Sequence, residues 1–355
     1  MQKFKINKTS IGKDCRTYFI ADIAANFDGN LKRAKKLIEL AANSGANAAK
    51  FQNFKAETIV SNKSFLSLKS QLSHQSKWKK SVFDVYKKAE LPLIWTSELK
   101  EACYKFGIDY FTAPYDINFI PFLKKYVSAW KVGSGDITWH EIILEMAKQN
   151  KPIIIATGAS SIDEVKQIVK KVLNKNKKLV LMQCNTNYTA SKNNFHHINL
   201  NVLSQFKKMF PNVVLGLSDH TLGHETVLGS IALGAKVIEK HFTDDNNRIG
   251  PDHKFSMNPS TWEKMIEASR NLENSLGDGI KKIEVNENST SIIQRRGIMA
   301  ASNLKKNIIL KKKHLVFLRP CKPNALPPYM FKKLLGRRTK KNINFHEVLN
   351  LKNTK

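Results

Sequence analysis

Residues 215–243, LGLSDHTLGHETVLGSIALGAKVIEKHFT, contain the pattern that decides the fold class. Two short apolar runs, at 213–217 and 236–240, are typical of buried strands. The first run is followed by Ser218, Asp219 and His220, and the second is followed by His241. Residues that can do chemistry therefore stand at the ends of two successive strands, where parallel α/β folds place their sites.

The same rhythm of short strand and amphipathic helix repeats over about 260 residues. Eight such units predict an α/β protein with a TIM (β/α)8 barrel. A doubly wound open sheet is the rival, but no GxGxxG follows the first strand. The candidate strands are 18–23, 48–52, 109–113, 129–132, 152–156, 179–183, 213–217 and 236–240, and helical patterns include 31–44, 139–149, 162–173 and 198–210.

The composition changes after the last helical pattern, which indicates a second domain. We predict a barrel domain at 1–276, a linker rich in Gly, Asn and charge at 277–290, and a small basic domain at 291–355. Residues 54–92 form a long polar excursion between the second and third strands. It could be a lid or a surface insertion.

The charge of the chain is strongly positive. The 355 residues carry 59 Lys+Arg against 29 Asp+Glu, and residues 281–355 alone hold 19 basic and 3 acidic residues. This field could attract nucleic acid or an anionic surface, concentrate a phosphorylated substrate, or reflect compositional drift. We favour the last two explanations, because lysines at barrel strand ends are internal and out of reach of a nucleic acid.

The rest of the composition narrows the class of protein. With 42% hydrophobic residues, the chain can build a large core, which excludes overall disorder. The four cysteines are far apart and form no CxxC pair, which argues against a zinc ribbon or a disulfide scaffold. A polar N-terminus and the lack of an apolar run of about 18 residues argue against secretion and membrane spanning. The expected compartment is the cytoplasm.

Two lysines stand inside otherwise apolar strands. An unpaired ammonium is costly in such a place, so Lys50 and Lys131 are either salt-bridged or reserved for an anion. Ser134, in a small GSG loop, and Ser218 lie at strand ends of the same barrel. Together these groups predict a site for a substrate that carries a phosphate and a carboxylate.

Two histidines end the seventh and eighth strands, which are neighbours in a barrel. His220 and His241 could therefore bind one divalent cation and leave positions open for water and substrate. His224 is either a third ligand or the start of the next helix. With few carboxylates and no thiolate nearby, Mn or Mg is favoured over structural zinc.

Other polar residues near the predicted mouth have two possible roles. Asp22 and Asp136 could transfer protons, or they could simply hold a lysine such as Lys50. Tyr188 and Asp252 could bind substrate hydroxyls, or they could be surface residues.

These residues, in this order, resemble the sialic acid synthase family, which condenses phosphoenolpyruvate with amino sugars. The resemblance implies a C-terminal SAF (antifreeze-like, β-clip) domain and a domain-swapped homodimer. The stretches that carry it are 19–52, WKVGSGDITW (130–139), QCNTNY (183–188), LGLSDHTLGHETVLGSIALGA (215–235), VIEKHFT (237–243) and GPDHKFSM (250–257), with RRGIMA (295–300) and FLRP (317–320) in the tail.

The resemblance also implies roles for individual residues. Asp22 and Asp136 would be catalytic, and His220 and His241 would hold Mn, or Mg or Co. Arg319 would reach from one subunit into the partner's site to contact the sugar. Phosphoenolpyruvate would be bound by Lys50, Lys131, Ser134, Thr186 and Ser218, and the sugar by Gln52, Tyr188, Asp252 and Arg319.

Some positions depart from the family pattern. Asp22 and Asp136 stand where Glu is usual, AANF replaces a Gly-x-Asn-His pattern, and Thr186 replaces an Asn. The default sugar is N-acetylmannosamine, which gives N-acetylneuraminate. A diacetamido-trideoxy sugar, which gives legionaminate or pseudaminate, is the alternative. An alternative of another class is a polyanion-binding or nucleic-acid-binding protein that uses the basic tail.

Overall fold

A closed barrel of eight parallel strands, together with the helices that surround it, makes up most of the chain. The computed structural model describes residues 2–68 and 73–355. The chain divides after Gly277 into two compact units. The strands of the larger unit are a hairpin, β1 (Phe4–Ile6) and β2 (Thr9–Ile11), and the barrel strands β3 (Tyr18–Asp22), β4 (Ala48–Asn53), β5 (Asp109–Pro114), β6 (Trp130–Val132), β7 (Ile153–Ala156), β8 (Leu179–Cys184), β9 (Val214–Asp219) and β10 (Val237–His241).

Each barrel strand pairs with the next in sequence, and β10 returns to pair with β3. All eight predicted strands are confirmed, each to within two residues of the predicted ends. The last residue of β10, His241, stands opposite the last residue of β3, Asp22. This closure excludes the open doubly wound sheet and confirms the TIM barrel.

The barrel strands are buried on both faces, which is why they are almost continuous apolar runs. Their inner side chains, such as Ile20, Phe111 and Ile154, form one core cluster. Phe4 and Ile6 of the hairpin belong to this cluster and so cover the end at which the strands begin. The outer side chains pack against the helices in a second, larger cluster.

Helices follow the barrel strands in the order that the periodicity predicts. Ser161 and Glu164 form a capping box at the start of the helix at Ile162–Leu173, which is confirmed as predicted. None of the helices within the described residues is long and apolar enough to cross a membrane. The α-helices of this unit are α1 (Leu31–Asn43), α2 (Ala56–Ile59), α3 (Asn62–Ser67), α4 (Val82–Ala89), α5 (Thr96–Lys105), α6 (Ile120–Leu123), α7 (His140–Lys148), α8 (Ile162–Leu173), α9 (Val202–Met209), α10 (Glu225–Ala232) and α11 (Pro259–Ser275).

Helix α9 is shorter than its apolar pattern suggests. The pattern covers 198–210, but the helix begins only at Val202. Asn199 has a φ of 49°, in the left-handed region that an α-helix cannot contain. A short 3₁₀ turn at Lys192–His197 takes up the preceding residues.

The excursion at 54–92 consists of short helices. It contains α2, α3, a 3₁₀ turn at Ser73–Lys77 and α4. Residues 69–72 of this excursion lie outside the described residues. The apolar run at 91–96 is a connection that contains a 3₁₀ turn at Leu93–Trp95.

The smaller unit, Asp278–Lys355, has its own core. A short helix, α12 (Asn288–Ile293), precedes the antiparallel pair β11 (Gly297–Ala300) and β12 (Leu315–Leu318). Isolated bridges such as Leu304–Ile343 and Ile309–Arg338 add further pairing. The apolar core of this unit comprises Ile298, Ala300, Leu304, Leu310, Leu334, Ile343 and Leu349.

Candidate active site

Alternation along the strands aims a set of polar side chains into the carboxyl end of the barrel. In β10, Glu239 and His241 lie two residues apart and so share the inner face. In β4, Lys50 and Gln52 are related in the same way. All of these side chains except Gln52 belong to buried residues, and they form a polar cluster on top of an apolar core.

Two buried lysines meet two buried carboxylates in this cluster. Lys50 Nζ lies 2.6 Å from Asp22 Oδ2 and 3.4 Å from Glu239 Oε1. Lys131 Nζ lies 3.2 Å from the same Glu239 oxygen, which also accepts a 3.1 Å hydrogen bond from Ser218 Oγ. The sequence leaves open whether the lysines pair with carboxylates or await an anion. In the structure both lysines pair with carboxylates, and their ammonium groups meet at Glu239.

Burial and charge pull the pKa values of this cluster in opposite directions. Burial would raise the pKa of Glu239, but the Lys131 and Lys50 ammonium groups outweigh it and lower the value to about 2. Burial raises the pKa of Asp22 against the opposing charge of Lys50. Burial also lowers the pKa of Lys131, although Glu239 opposes this shift.

Two side chains of the predicted anion site, those of Ser134 and Thr186, come together beside a glycine. A methyl carbon built on Gly158 would lie 2.7 Å from Thr186 Cγ2, 2.9 Å from Ser134 Oγ and 3.1 Å from Cys184 Sγ. The Gly158 N–H donates a 3.0 Å hydrogen bond to Ser134 Oγ. Ser134 and Thr186, which are far apart in sequence, therefore pack side by side against Gly158, just after β7.

The two histidines stand side by side at the same end of the barrel. The ring centroids of His220 and His241 are 5.3 Å apart. Two imidazoles that share an ion at about 2.1 Å would place their ring centroids roughly 5 Å apart, so this separation suits a common ligand. His220 Nδ1 lies 2.9 Å from the carbonyl oxygen of Asn185, which fixes the ring and leaves Nε2 available.

The state of these histidines also suits a metal. Burial lowers the pKa of each to about 3, so both rings are neutral at physiological pH and keep a lone pair. His241 Nδ1 is buried and has no hydrogen-bond partner within the described ranges. No cluster of three or more His, Cys, Asp or Glu suited to a metal occurs among those residues. Any ion here would therefore take most of its ligands from water and substrate.

A cavity of about 160 Å³ opens beside His241. Gln52, Tyr188 and Asp252 line it together with His241. The 54–92 excursion supplies much of the remaining wall, which is largely aromatic. An adjoining cleft of about 630 Å³ shares His74, Trp78 and Tyr188. The other aromatic wall residues of the smaller cavity are Phe54, His74, Trp78, Tyr86 and Tyr115.

Two further carboxyl groups near the cavity have raised pKa values. Burial raises the pKa of Asp136 to about 6. Burial raises the pKa of Asp252 to about 7, although a hydrogen bond from the Ala25 N–H opposes the shift. Asp252 Oδ2 lies 4.0 Å from His241 Nδ1. Both groups can therefore exchange protons near neutral pH.

Three further residues have other surroundings. Arg319 is exposed and lies in the smaller unit, directly after β12. His224 is the residue that precedes α10, as the helix-start alternative predicted. His253 is buried with both ring nitrogens engaged, by Thr243 Oγ1 at 2.8 Å and Asp28 Oδ1 at 3.0 Å. It therefore anchors the loop at 250–257.

Sequence reasoning missed Glu239. It contacts Lys50, Lys131 and Ser218 at once, yet the sequence pattern assigns it no role. The available signal is its position two residues before His241 in a buried strand, which places it on the inner face. Which partners it meets depends on strands that are distant in sequence, and the pattern alone does not give them.

Comparison with known proteins gives a consistent picture. The profile of the NeuB family matches residues 37–281. An N,N'-diacetyllegionaminic acid synthase from Campylobacter jejuni is 34% identical over 342 residues, which cover 94% of this chain and 99% of the relative. A pseudaminic acid synthase from the same species is 31% identical, and the match covers 95% of this chain and 96% of that relative.

A solved structure shares the fold. The N-acetylneuraminic acid (sialic acid) synthetase from Leptospira borgpetersenii superimposes with a TM-score of 0.72 and 27% sequence identity. The match covers 81% of this chain and 95% of that one.

Proposed function

Because the chain belongs to the NeuB family, we propose that it is a nonulosonic acid synthase that joins phosphoenolpyruvate to an N-acylated mannose-type amino sugar. The observation that carries the proposal is the meeting of two lysines and two neutral histidines at one end of the barrel. The lysines supply positive charge for an anion. The histidines supply lone pairs for a cation that would hold the second substrate.

The anion site would hold phosphoenolpyruvate. Lys50 and Lys131 would pair with its charged groups, and Ser218 would add a hydroxyl donor. Support comes from the packing at Gly158, which brings Ser134 and Thr186 together. Charge-assisted hydrogen bonds from buried donors are the strong kind, which suits a small and highly charged ligand.

The metal site would consist of His220 and His241, with Mn as the expected ion and Mg or Co as alternatives. When bound, the ion would act as a Lewis acid toward the sugar aldehyde. The support is the separation of the two rings, their neutral state and the free Nδ1 of His241 among the described residues.

The sugar would occupy the cavity lined by Gln52, Tyr188 and Asp252, in its open-chain form. In the reaction, C3 of phosphoenolpyruvate bonds to the aldehyde carbon, and the aldehyde oxygen gains a proton. Water then adds to C2, and phosphate leaves with its bridging oxygen. Asp136, whose pKa lies near 6, is suited to move these protons, and Asp22 is a second candidate beside Lys50.

Two sugars remain candidates for this cavity. N-acetylmannosamine, which gives N-acetylneuraminate, is the default. A diacetamido-trideoxyhexose, which gives legionaminate or pseudaminate, is the second candidate, because the aromatic wall suits a ligand with fewer hydroxyls and more methyl groups. The relatives from Campylobacter jejuni are named as synthases of diacetyllegionaminic and pseudaminic acid.

The quaternary structure and the compartment are also part of the proposal. We propose a domain-swapped homodimer in which Arg319 reaches across the interface to contact the sugar. The expected compartment is the cytoplasm, which agrees with four free cysteines, Cys15, Cys103, Cys184 and Cys321.

The test is a phosphate-release assay on a panel of amino sugars. Phosphoenolpyruvate and the correct sugar should release inorganic phosphate and give a product whose mass matches the condensed acid. EDTA should stop the release, and Mn²⁺ should restore it. If no sugar of either candidate class releases phosphate with metal present, the proposed activity is wrong.

A further inference from the structure

Glu239 lies at the centre of the lysine cluster. Its Oε1 atom receives the Ser218 hydroxyl at 3.1 Å, and it lies 3.2 Å from Lys131 Nζ and 3.4 Å from Lys50 Nζ. Its Oε2 atom is buried and has no hydrogen-bond partner in the part of the chain that the structure describes. One carboxylate oxygen thus touches three of the groups that the proposed function assigns to phosphoenolpyruvate.

The two lysines depend on this carboxylate to different degrees. Lys50 has a second and shorter contact, to Asp22 at 2.6 Å. For Lys131, Glu239 is the only carboxylate within 4 Å among the residues described. The side chain of Lys131 is 2% exposed, so water offers little compensation for its charge.

We propose that Glu239 is a positioning residue for phosphoenolpyruvate, whose carboxylate holds the Lys131 and Lys50 ammonium groups and the Ser218 hydroxyl in the arrangement that receives the anion. The inference rests on the proposed function of the same site. Without Glu239, a buried Lys131 would lose its proton or turn away, and the substrate would lose a charged donor.

The opposite outcome is physically possible, which makes the inference testable. Glu239 is itself an anion, and removing a competing anion could strengthen the binding of phosphoenolpyruvate. The two effects have opposite signs. We expect the loss of a correctly placed Lys131 ammonium group to outweigh the removal of the competing anion, because a hydrogen bond to a charged group contributes more than a neutral one.

The experiment compares Glu239→Gln with the unmodified protein by calorimetric titration with phosphoenolpyruvate alone. Gln keeps the shape and one acceptor oxygen but removes the charge. The dissociation constant should rise about 10- to 100-fold, as expected for loss of a charge-assisted hydrogen bond. In steady-state assays the KM for phosphoenolpyruvate should rise by a similar factor, with a smaller change in kcat.

A matched control separates positioning from general destabilisation. Glu273→Gln makes the same chemical change at an ion pair with Arg270, near Thr17 at the opposite end of the barrel. It should leave phosphoenolpyruvate binding within about twofold. Glu239→Asp keeps the charge and shortens the side chain, so it should weaken binding less than Gln does. If Glu239→Gln does not fold, the rise in KM for Glu239→Asp over Glu273→Gln carries the test.

The possible failures are distinguishable. Unchanged or tighter phosphoenolpyruvate binding by Glu239→Gln, in a protein that unfolds as cooperatively as the control, overturns the role of Glu239. If the unmodified protein binds phosphoenolpyruvate but releases no phosphate with any sugar, the proposed function fails. The titration then still decides what Glu239 does.

Discussion

Gly158 follows β7 at the point where Ser134 and Thr186 come together. The space beside its Cα is not empty, because three side chains lie within 3.1 Å of where a methyl group would stand. Its backbone N–H holds Ser134 in place through a 3.0 Å hydrogen bond. A glycine here therefore lets Ser134 and Thr186 pack closely against the backbone after β7.

At the residue scale, we predict that Gly158→Ala weakens phosphoenolpyruvate binding. The added methyl group should displace Ser134 or Thr186, and overpacking of this kind costs about 1–3 kcal/mol. The KM for phosphoenolpyruvate should therefore rise roughly tenfold or more, while the KM for the sugar changes little. Initial rates at varied phosphoenolpyruvate measure the effect.

Gly135→Ala is the control for this substitution. Gly135 lies in the neighbouring loop, and no atom of the described residues beyond its two chain neighbours comes within 4 Å of the position that an added methyl group would take. The change should therefore be nearly silent. Equal effects of the two substitutions would show that the close packing at Gly158 has no special part in binding.

At the element scale, β9 and β10 are joined by a second buried ion pair on the face opposite the site. Lys240 Nζ contacts Asp219 Oδ2 and also donates to the Thr221 carbonyl oxygen at 2.7 Å. Asp219 further accepts from the Thr226 hydroxyl at 2.7 Å. The pair ties the two strands that lead to the histidines to the start of α10.

We predict that Asp219→Ala strongly destabilises the barrel. The change leaves Lys240 buried without a counter-charge, which typically costs about 3–5 kcal/mol, so the free energy of unfolding should fall by that amount. The five tryptophans all lie before Gly277, so their fluorescence in a denaturant titration reports on this unit.

The exposed pair between Asp163 and Lys166 in α8 provides the comparison. Asp163→Ala should change stability far less, because a solvent-exposed pair contributes little. A loss of stability in Asp219→Ala no greater than in Asp163→Ala would contradict this stabilising role of the Asp219–Lys240 pair.

The elements were more predictable from the sequence than their contacts. All eight barrel strands could be found because parallel strands buried on both faces are almost wholly apolar. Lys50 and Lys131 were visible because a charge is conspicuous in such a run. The length of helix α9 was overestimated, because apolar periodicity gives no sign of the left-handed backbone at Asn199.

The site was predictable only in part. The neighbourhood of His220 and His241 followed from strand order, which is a property of the fold. The contacts of Glu239 with Lys50 and Lys131 did not follow, because they join strands that are not neighbours in the barrel. The packing at Gly158 did not follow, because strand order does not give the distances between side chains. The aromatic wall from the 54–92 excursion was also missed, since an insertion has no periodic relation to the barrel.

At the scale of the whole molecule, the smaller unit carries the remaining predicted residue. Arg319 lies in that unit, which has a core of its own. If the protein is a domain-swapped homodimer, each complete site takes Asp22 from one subunit and Arg319 from the other. Subunits with different defects should then complement each other.

We predict that a heterodimer of Arg319→Ala and Asp22→Asn subunits regains activity. One of its two sites would contain both unmodified residues, so about half of the wild-type activity per dimer is expected. Two affinity tags allow the heterodimer to be purified after co-expression, and phosphate release measures its activity. Each homodimer serves as a control. No recovery above the homodimers would indicate sites built within one chain.

The pairing of Asp22 with His241 joins the first and the last strand of the barrel. During synthesis, Lys50 and Lys131 of the proposed anion site emerge from the ribosome long before His241 does. A nascent chain therefore cannot form the complete proposed site until the final barrel strand has been translated. Binding of both ligands would accordingly report that the barrel has closed. A translation product that ends before the last strand would be inactive.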